Sequence, residues 1–527
     1  MSPVTISDSD FHELIAKRAQ TLLGLASYLS HCPSNSEFLI RPFLGEFFSQ
    51  SMQIEELLDA YDARNNCKWC LFRSLIAAIK LFSDVSYELL HIQHALPAYR
   101  LLPIKQDFAQ ATRQTLDFTG DILTKAAEQM LTQASQLNLP VPSETQREKS
   151  YCEELPPGRL VRDCEARRAE TVSEMVTLLA TAFLNLAAES KDVRAASRAK
   201  PEEYLCYVEN SFTEESLRTL ELRFHNLQSQ YDTYVSGTEA EQQDTDLLVL
   251  RGHISVVLHL LKTATSFAHY YERHVTKQPC EVIALKEPLL SPYDLLRVLM
   301  NYSVTYISLY IDCAENLCRE MLKRYAEIGQ VEVQVPPYRG FHVRPATLIS
   351  KLVLHYGSEV RMQLDDELYD ASSPLELFRA NEKINAQKRK FLATEIVRLK
   401  LVPGWATGKD FKTIVRDAVL MLAENSKLIM YEQPLQLPDK PAQKEKEGTL
   451  LQKVSDEAAQ LLTLGKIDID PDLTVTFIGD KRVLADIQLL AESGYGEETE
   501  SESEAGSIGK KERHHDAGDR RKEQYCF

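Results

Sequence analysis

The sequence lacks the short motifs that announce most enzymes. It has no glycine-rich phosphate loop, no Gly-x-Ser-x-Gly elbow and no Gly-x-Gly-x-x-Gly after a strand. Nothing therefore argues for nucleotide-driven phosphorylation, a serine-hydrolase site or a dinucleotide fold. Basic charge is not in excess either: 60 Lys and Arg stand against 77 Asp and Glu, a net charge of −17. That balance argues against nucleic acid or an anionic membrane as a general partner. A targeting signal is also missing, since Met1 to Asp10 carries neither a basic start nor a long apolar run. The most apolar internal stretch, Met175 to Ala188, is shorter than a bilayer span and reads as a buried helix. The 10 cysteines are scattered without framework spacing, as in a reducing compartment. These absences predict a soluble, cytoplasmic protein without membrane insertion.

What is present is mostly helix. A chain of 527 residues, 44% hydrophobic, has the length of roughly three domains and the composition of ordinary globular protein. Residues 1–328 are expected to be all-α, as one or two bundles. Asp8 to Ser30, Trp69 to Ala95, Lys105 to Leu137, Arg168 to Glu189, Thr213 to Val235 and Asp244 to Tyr271 each show helical periodicity, with breaks such as Pro156-Pro157-Gly158 between them. Ser291-Pro292-Tyr293-Asp294 then opens a helix expected to reach Glu327, about 54 Å at 1.5 Å per residue. Its stripe of Leu295, Leu299, Tyr302, Tyr306, Leu309, Cys313, Leu317 and Met321 reads as a bundle seam. A homodimer seam through 291–327 is the alternative.

Several residues here have the right type for chemistry and the wrong company. Cys67-Lys68-Trp69-Cys70 has redox or metal spacing, yet no second pair follows it, so both cysteines read as packing residues. His91 and His94 share a helix face without a third ligand and read as surface polar residues. His269 to His274 reads as a mixed polar helix end. No cofactor and no metal site is expected.

The strongest pattern is Gly340-Phe341-His342-Val343-Arg344-Pro345-Ala346. Before it, Val331, Val333 and Val335 alternate as in a strand. After it, Leu348, Ile349, Leu352, Val353 and Tyr356 recur at helical spacing up to Gly357. Pro345 suits a first turn, where its missing N–H costs nothing. His342 is thus expected at a helix start, over free backbone N–H groups, with Arg344 two residues on. Such a place suits a phosphoryl group on the imidazole, since amides and a guanidinium are anion donors.

This segment resembles the active-site signature of HPr, the histidine phosphocarrier of the bacterial sugar phosphotransferase system. The resemblance implies a βαββαβα open-faced sandwich, with His342 as phosphoryl acceptor on its δ nitrogen and Arg344 as phosphate partner. It implies a phosphotransferase-system first enzyme, or a similar donor, as one partner and an unidentified protein acceptor as another. It also puts Ser373 where some members carry a regulatory phosphoserine. By itself the run Ser372-Ser373-Pro374-Leu375-Glu376 reads as a helix N-cap with a capping box.

Val360, Met362 and Leu364 continue as a strand, and Leu368-Tyr369 starts a return strand. The likeness stops past Phe378 and resumes near Leu461, with Leu473 to Ile478 as a strand and Asp480 to Glu492 as a helix. An HPr-like domain over 329–498 is therefore expected, interrupted by a helical insertion at about 379–449 that includes a helix from Asp410 to Tyr431. Insertion near a helix end is tolerable, because loop-closure cost grows slowly with length. The competing reading closes the domain early, with Arg398 to Leu401 as last strand and Asp410 to Tyr431 as last helix. Residues 499–527 form a charged tail, too poor in apolar residues to fold. The expected function is a phosphocarrier or a phosphorylation-dependent regulator rather than an enzyme in its own right. The alternative is a scaffold that docks partners through the same fold without phosphate.

Overall fold

The computed structural model describes residues 5–35, 38–142, 171–275, 289–398, 410–425, 428–432, 434–437, 449–469 and 473–496. The charged tail and the Pro156–Gly158 break lie outside them. The chain divides into two compact units, one ending at Met321 and the other beginning at Leu322. The division falls before the expected one at 328 because the second unit holds the last helical turn. Arg482 donates to Leu322 O at 2.6 Å, and the Lys481 N–H donates to Glu327 O at 2.9 Å.

Every described element of the first unit is helical. Its first helices are α1 Asp8–Arg18, α2 Gln20–His31, α3 Arg41–Ala60, α4 Cys70–Ala95 and α5 Phe108–Gln136. Next come α6 Val172–Glu189, α7 Lys191–Ala196, α8 Tyr204–Asn210, α9 Glu214–Tyr234, α10 Glu239–Gln243 and α11 Asp246–Tyr270. The series closes with α12 Pro292–Val298 and α13 Thr305–Arg324, whose last turn lies in the second unit. Local chemistry sets the starts: Ser7, Asp107, Thr171 and Thr213 each accept a first-turn amide, and Thr171 and Glu174 form a full capping box. The core is built around α4, which packs against α3, α5 and α11.

Two departures from the sequence reading stand out. The span Asp8 to Ser30 is two helices that meet at Ala19, and α3 was not anticipated. The helix expected to run unbroken from 291 passes through a π-helical turn, Leu299–Val304. A π turn adds one residue to the repeat and rotates everything after it. Leu295, Leu299, Tyr302, Tyr306 and Met321 are buried as expected, but between the last two Tyr310, Ala314 and Cys318 are buried while Leu309, Cys313 and Leu317 are only half-buried. Over that middle stretch the buried positions lie one residue later than expected.

Among the described residues two helical segments, Val172–Glu189 and Asp246–Val275, are long and apolar enough to cross a membrane by length and composition. The first includes the stretch read as too short for this. Of the second, 72% is buried inside the protein, as for a core helix. Cys32, Cys67, Cys70, Cys313 and Cys318 are free thiols. Cys206 is disulfide-bonded.

The second unit holds β1 Ile328–Gln334, α14 Val343–Tyr356, β2 Val360–Leu364, β3 Glu367–Asp370 and α15 Pro374–Arg398. After these come α16 Phe411–Glu424, β4 Ile429–Met430, α17 Leu450–Thr463, β5 Ile467–Asp468, β6 Thr474–Asp480 and α18 Lys481–Glu492. One antiparallel sheet has four strands in the order β1-β6-β2-β3, and β4 pairs with β5. The register sets Val331, Phe477, Met362 and Tyr369 side by side. The last three are buried, with α15 packed on β3, α18 on β1 and β6, and α14 against both helices. The neighbouring row, Gln330, Ile478, Arg361 and Asp370, faces the other way, so the sheet is covered on one side as period-two alternation dictates.

The inserted segment differs from its expected bounds. No break occurs at Arg379, because α15 continues to Arg398. Its first half buries Leu377, Ala380 and Ile384, and its second half gives Leu392 and Ile396 to a separate core with Val415, Val419, Leu461 and Ile467. One amphipathic helix serves both cores, and α17 and β5 belong to the insert. The early closure is excluded: β6 is the strand between β1 and β2, and α16 packs inside the insert. The helix expected from Asp410 to Tyr431 ends at Glu424 and is followed by the short strand β4.

Candidate functional site

His342 is the N-cap of α14, in extended conformation, and its C=O accepts the Ala346 N–H at 3.1 Å. It is half-buried, between a fully buried Phe341 and a Val343 that is 68% exposed. The first helical amides have no acceptor within the helix, so the ring sits at the positive end of α14. One detail departs from the sequence reading. The imidazole turns Nδ1 toward a carbonyl, Gly340 O, at 3.1 Å, not toward the amides. A carbonyl can only accept, so Nδ1 is the donor in this contact.

Arg344, in the first turn, is exposed, and among the described residues it makes no hydrogen bond or ion pair. Its guanidinium lies beside the Gly494–Gly496 turn, since a Cβ on Gly496 would come within 3.6 Å of Arg344 Nε. That turn is more than a helix stop. Tyr495, buried and at φ 58°, donates its hydroxyl to Gln334 O at 2.6 Å and meets Phe341 edge-on.

Ser373 caps α15, accepting the Glu376 N–H at 3.4 Å. The expected capping box does not form. The Ser373 N–H donates to Asp370 O, and the Glu376 carboxylate pairs with Arg379 at 2.7 Å.

The loop before His342 is held by residues that the sequence did not mark. Arg339 and Gly340 both have positive φ, 56° and 62°. Asn381 of α15 reaches the same bend, where its Oδ1 accepts the Phe341 N–H at 2.9 Å and its Nδ2 donates to Arg339 O at 3.0 Å. Asp468 of β5 accepts the Arg339 N–H at 2.8 Å and pairs with Lys388 of α15 at 2.8 Å. Tyr338 packs edge-on to the His342 ring with centroids 5.5 Å apart, and Tyr431 of the insert packs edge-on to Tyr338 at 4.7 Å. A buried lysine on a charged helix carries no local signal, because its partner lies 80 residues away.

The polar residues dismissed in the first unit also have partners. His91 is not a bare surface residue. Its Nδ1 lies 3.1 Å from Arg41 Nη2, its Nε2 3.3 Å from the Tyr99 hydroxyl, and its ring 4.1 Å from that of His259. His259 in turn bonds to Glu88 at 2.6 Å. Burial, then the charges of His259 and Arg41, lower the His91 pKa to about 4. Burial and the neighbouring Glu88 raise Asp84 to about 6. Cys70 is buried and its thiol turns back to Cys67 O. Among the described residues no group of three or more His, Cys, Asp or Glu is placed to hold a metal ion.

Comparison of the chain with family models, curated proteins and solved structures finds no match in any of the three.

Proposed function

We propose that the second unit is an HPr-like module in which His342 accepts a phosphoryl group, for transfer to another protein or as a signal. The observation that carries this reading is a half-buried imidazole at the N-cap of α14, with an exposed guanidinium in the first turn that makes no hydrogen bond or ion pair among the described residues. The succession of strands and helices outside the insert, and the sheet order β1-β6-β2-β3, support it. The helix amides and Arg344 would stabilise the three oxygens of a phosphoryl group. The ring nitrogen would attack phosphorus while the bond to the donor breaks and the donor leaves with its electron pair. With no nucleotide site of its own, the module depends on a phosphoryl donor such as the first enzyme of the phosphotransferase system. It is a carrier or regulator rather than an enzyme.

One observation favours the second reading, a docking scaffold that is never phosphorylated: Nδ1 is occupied by Gly340 O and one side of the ring by Tyr338. Incubation with phosphoenolpyruvate and the first enzyme separates the two. The carrier reading expects acid-labile, base-stable phosphate on His342, and the scaffold reading expects none.

A further inference from the structure

The insert lies at the His342 loop rather than apart from it. Asp468, on β5, accepts the Arg339 N–H, and Tyr431, just after β4, backs Tyr338, which in turn touches the imidazole. The two contributions are linked within the insert, since the Tyr431 N–H donates to Lys466 O at 3.1 Å and β4 pairs with β5. Asp468 is fixed as well, because its carboxylate also meets Lys388 and the Ile469 N–H.

We propose that the insert is a positioning element for His342, with Tyr431 and Asp468 as its positioning residues. Through the Tyr338 ring and the Arg339 backbone they set which edge of the imidazole is presented. A partner that binds the insert and shifts Tyr431 would then change the reactivity of His342 without touching it. The positioning itself does not depend on the proposed function, which supplies only the identity of the transferred group. A side chain held by a supporting shell loses defined orientation when one member of that shell is removed.

The test uses the full chain and a small acylating reagent, diethyl pyrocarbonate, which reads imidazole nucleophilicity without any phosphoryl donor. The rate of modification at His342 is followed by peptide mass spectrometry in the wild type, Tyr431→Ala, Tyr431→Phe and Asp468→Asn, with circular dichroism to check that each is folded. Loss of the ring in Tyr431→Ala should raise the rate at His342 by about threefold or more, while Tyr431→Phe, which keeps the ring, should react as the wild type does. The rate at His94, outside this site, should not move. Equal His342 rates in Tyr431→Ala and wild type overturn the proposal. Should Tyr431→Ala fail to fold, Asp468→Asn carries the same comparison, and an unchanged rate there overturns it equally. Parallel labelling of the wild type with phosphoramidate keeps the two ideas apart. Altered acylation without any phosphohistidine would end the carrier reading and leave positioning intact, and the reverse pattern would do the opposite.

Discussion

Lys388 and Asp468 form an ion pair at 2.8 Å with only 2% and 3% of their side chains exposed. Asp468 also accepts the N–H groups of Arg339 and Ile469, so one buried carboxylate ties α15, the insert and the His342 loop together. A pair of this kind is tolerable because each charge meets its counter-charge and further donors. Removing one partner leaves the other stranded in low dielectric.

Lys388→Met should therefore destabilise the second unit by about 3–5 kcal/mol. The local readout is amide hydrogen exchange at Arg339 and Phe341, which should accelerate well before exchange in β6 does. Unchanged protection at both amides would mean that the loop is held without the ion pair.

Gly340→Ala should be harmful for two separable reasons. At φ 62° an added Cβ would sit 2.1 Å from Asn381 Oδ1, and the left-handed conformation alone costs about 1–2 kcal/mol. Combining it with Asn381→Ala removes the collision and keeps the backbone cost. Thermal unfolding of the two single variants and the double variant should give a coupling of about 1 kcal/mol or more, favouring the double. Strict additivity would show that the Asn381 side chain moves aside freely.

His342→Ala should abolish acid-labile labelling, with Arg344→Ala strongly impaired and Arg344→Lys in between, since a point charge replaces a fork of donors. In the resting protein the imidazole should be the Nδ1–H tautomer, donating to Gly340 O. Long-range nitrogen–proton NMR reads this directly. Phosphate on Nδ1, as the HPr resemblance implies, would require the ring to leave that carbonyl, so the Nδ1 signal should change on labelling. Equal labelling of all four proteins would reduce Arg344 to a surface charge and His342 to a cap.

His91 makes a pH prediction with a definite sign. Its folded pKa, lowered to about 4, lies below the usual histidine value of about 6.5. The folded state therefore binds fewer protons there than the unfolded one, and the contribution present above pH 6.5 is lost as pH falls toward 4. His91→Gln should be less stable than wild type at pH 7.5 through lost hydrogen bonds, with the gap narrowing by about 1 kcal/mol by pH 5 after allowance for solvent screening. Asp84, raised to about 6, has the opposite dependence: its contribution is present below about pH 4 and is lost as pH rises through 6. It is common to both proteins and cancels from the difference. A gap that widens on acidification would contradict the assigned burial of His91.

Chain shortening should respect β6. A protein ending at Leu437 lacks the strand that pairs with both β1 and β2, and its second unit should not melt cooperatively. Replacing Arg379 to Thr449 by a short Gly/Ser linker should also fail to give an ordered His342 loop, because it removes Asn381 and Lys388. A replacement confined to the insert beyond α15 should keep Asn381 in contact with Phe341. Hydrogen exchange at Phe341 distinguishes these outcomes.

Alternating Val331 and Val333, the apolar repeat after Pro345, the Ser373–Pro374 start and the strand pattern from Thr474 are local signals. Each describes a neighbourhood of a few residues, where propensity, capping and period decide the backbone. The sequence by itself therefore determined the helical first unit, the succession of elements around the sheet, and the position of His342 at the start of α14. The tertiary structure decided what those signals do not contain. After the π turn at Leu299–Val304, Tyr310, Ala314 and Cys318 are buried in place of Leu309, Cys313 and Leu317. His91 acquired Arg41 and His259 as neighbours from other helices. The ring of His342 turned Nδ1 to Gly340 O, within a loop gripped by Asn381 from 40 residues away and linked to Lys388 by a pair that spans 80. Such contacts depend on which distant side chains arrive at the same place once the apolar faces are buried, and a periodicity of two or 3.6 residues carries no record of that meeting.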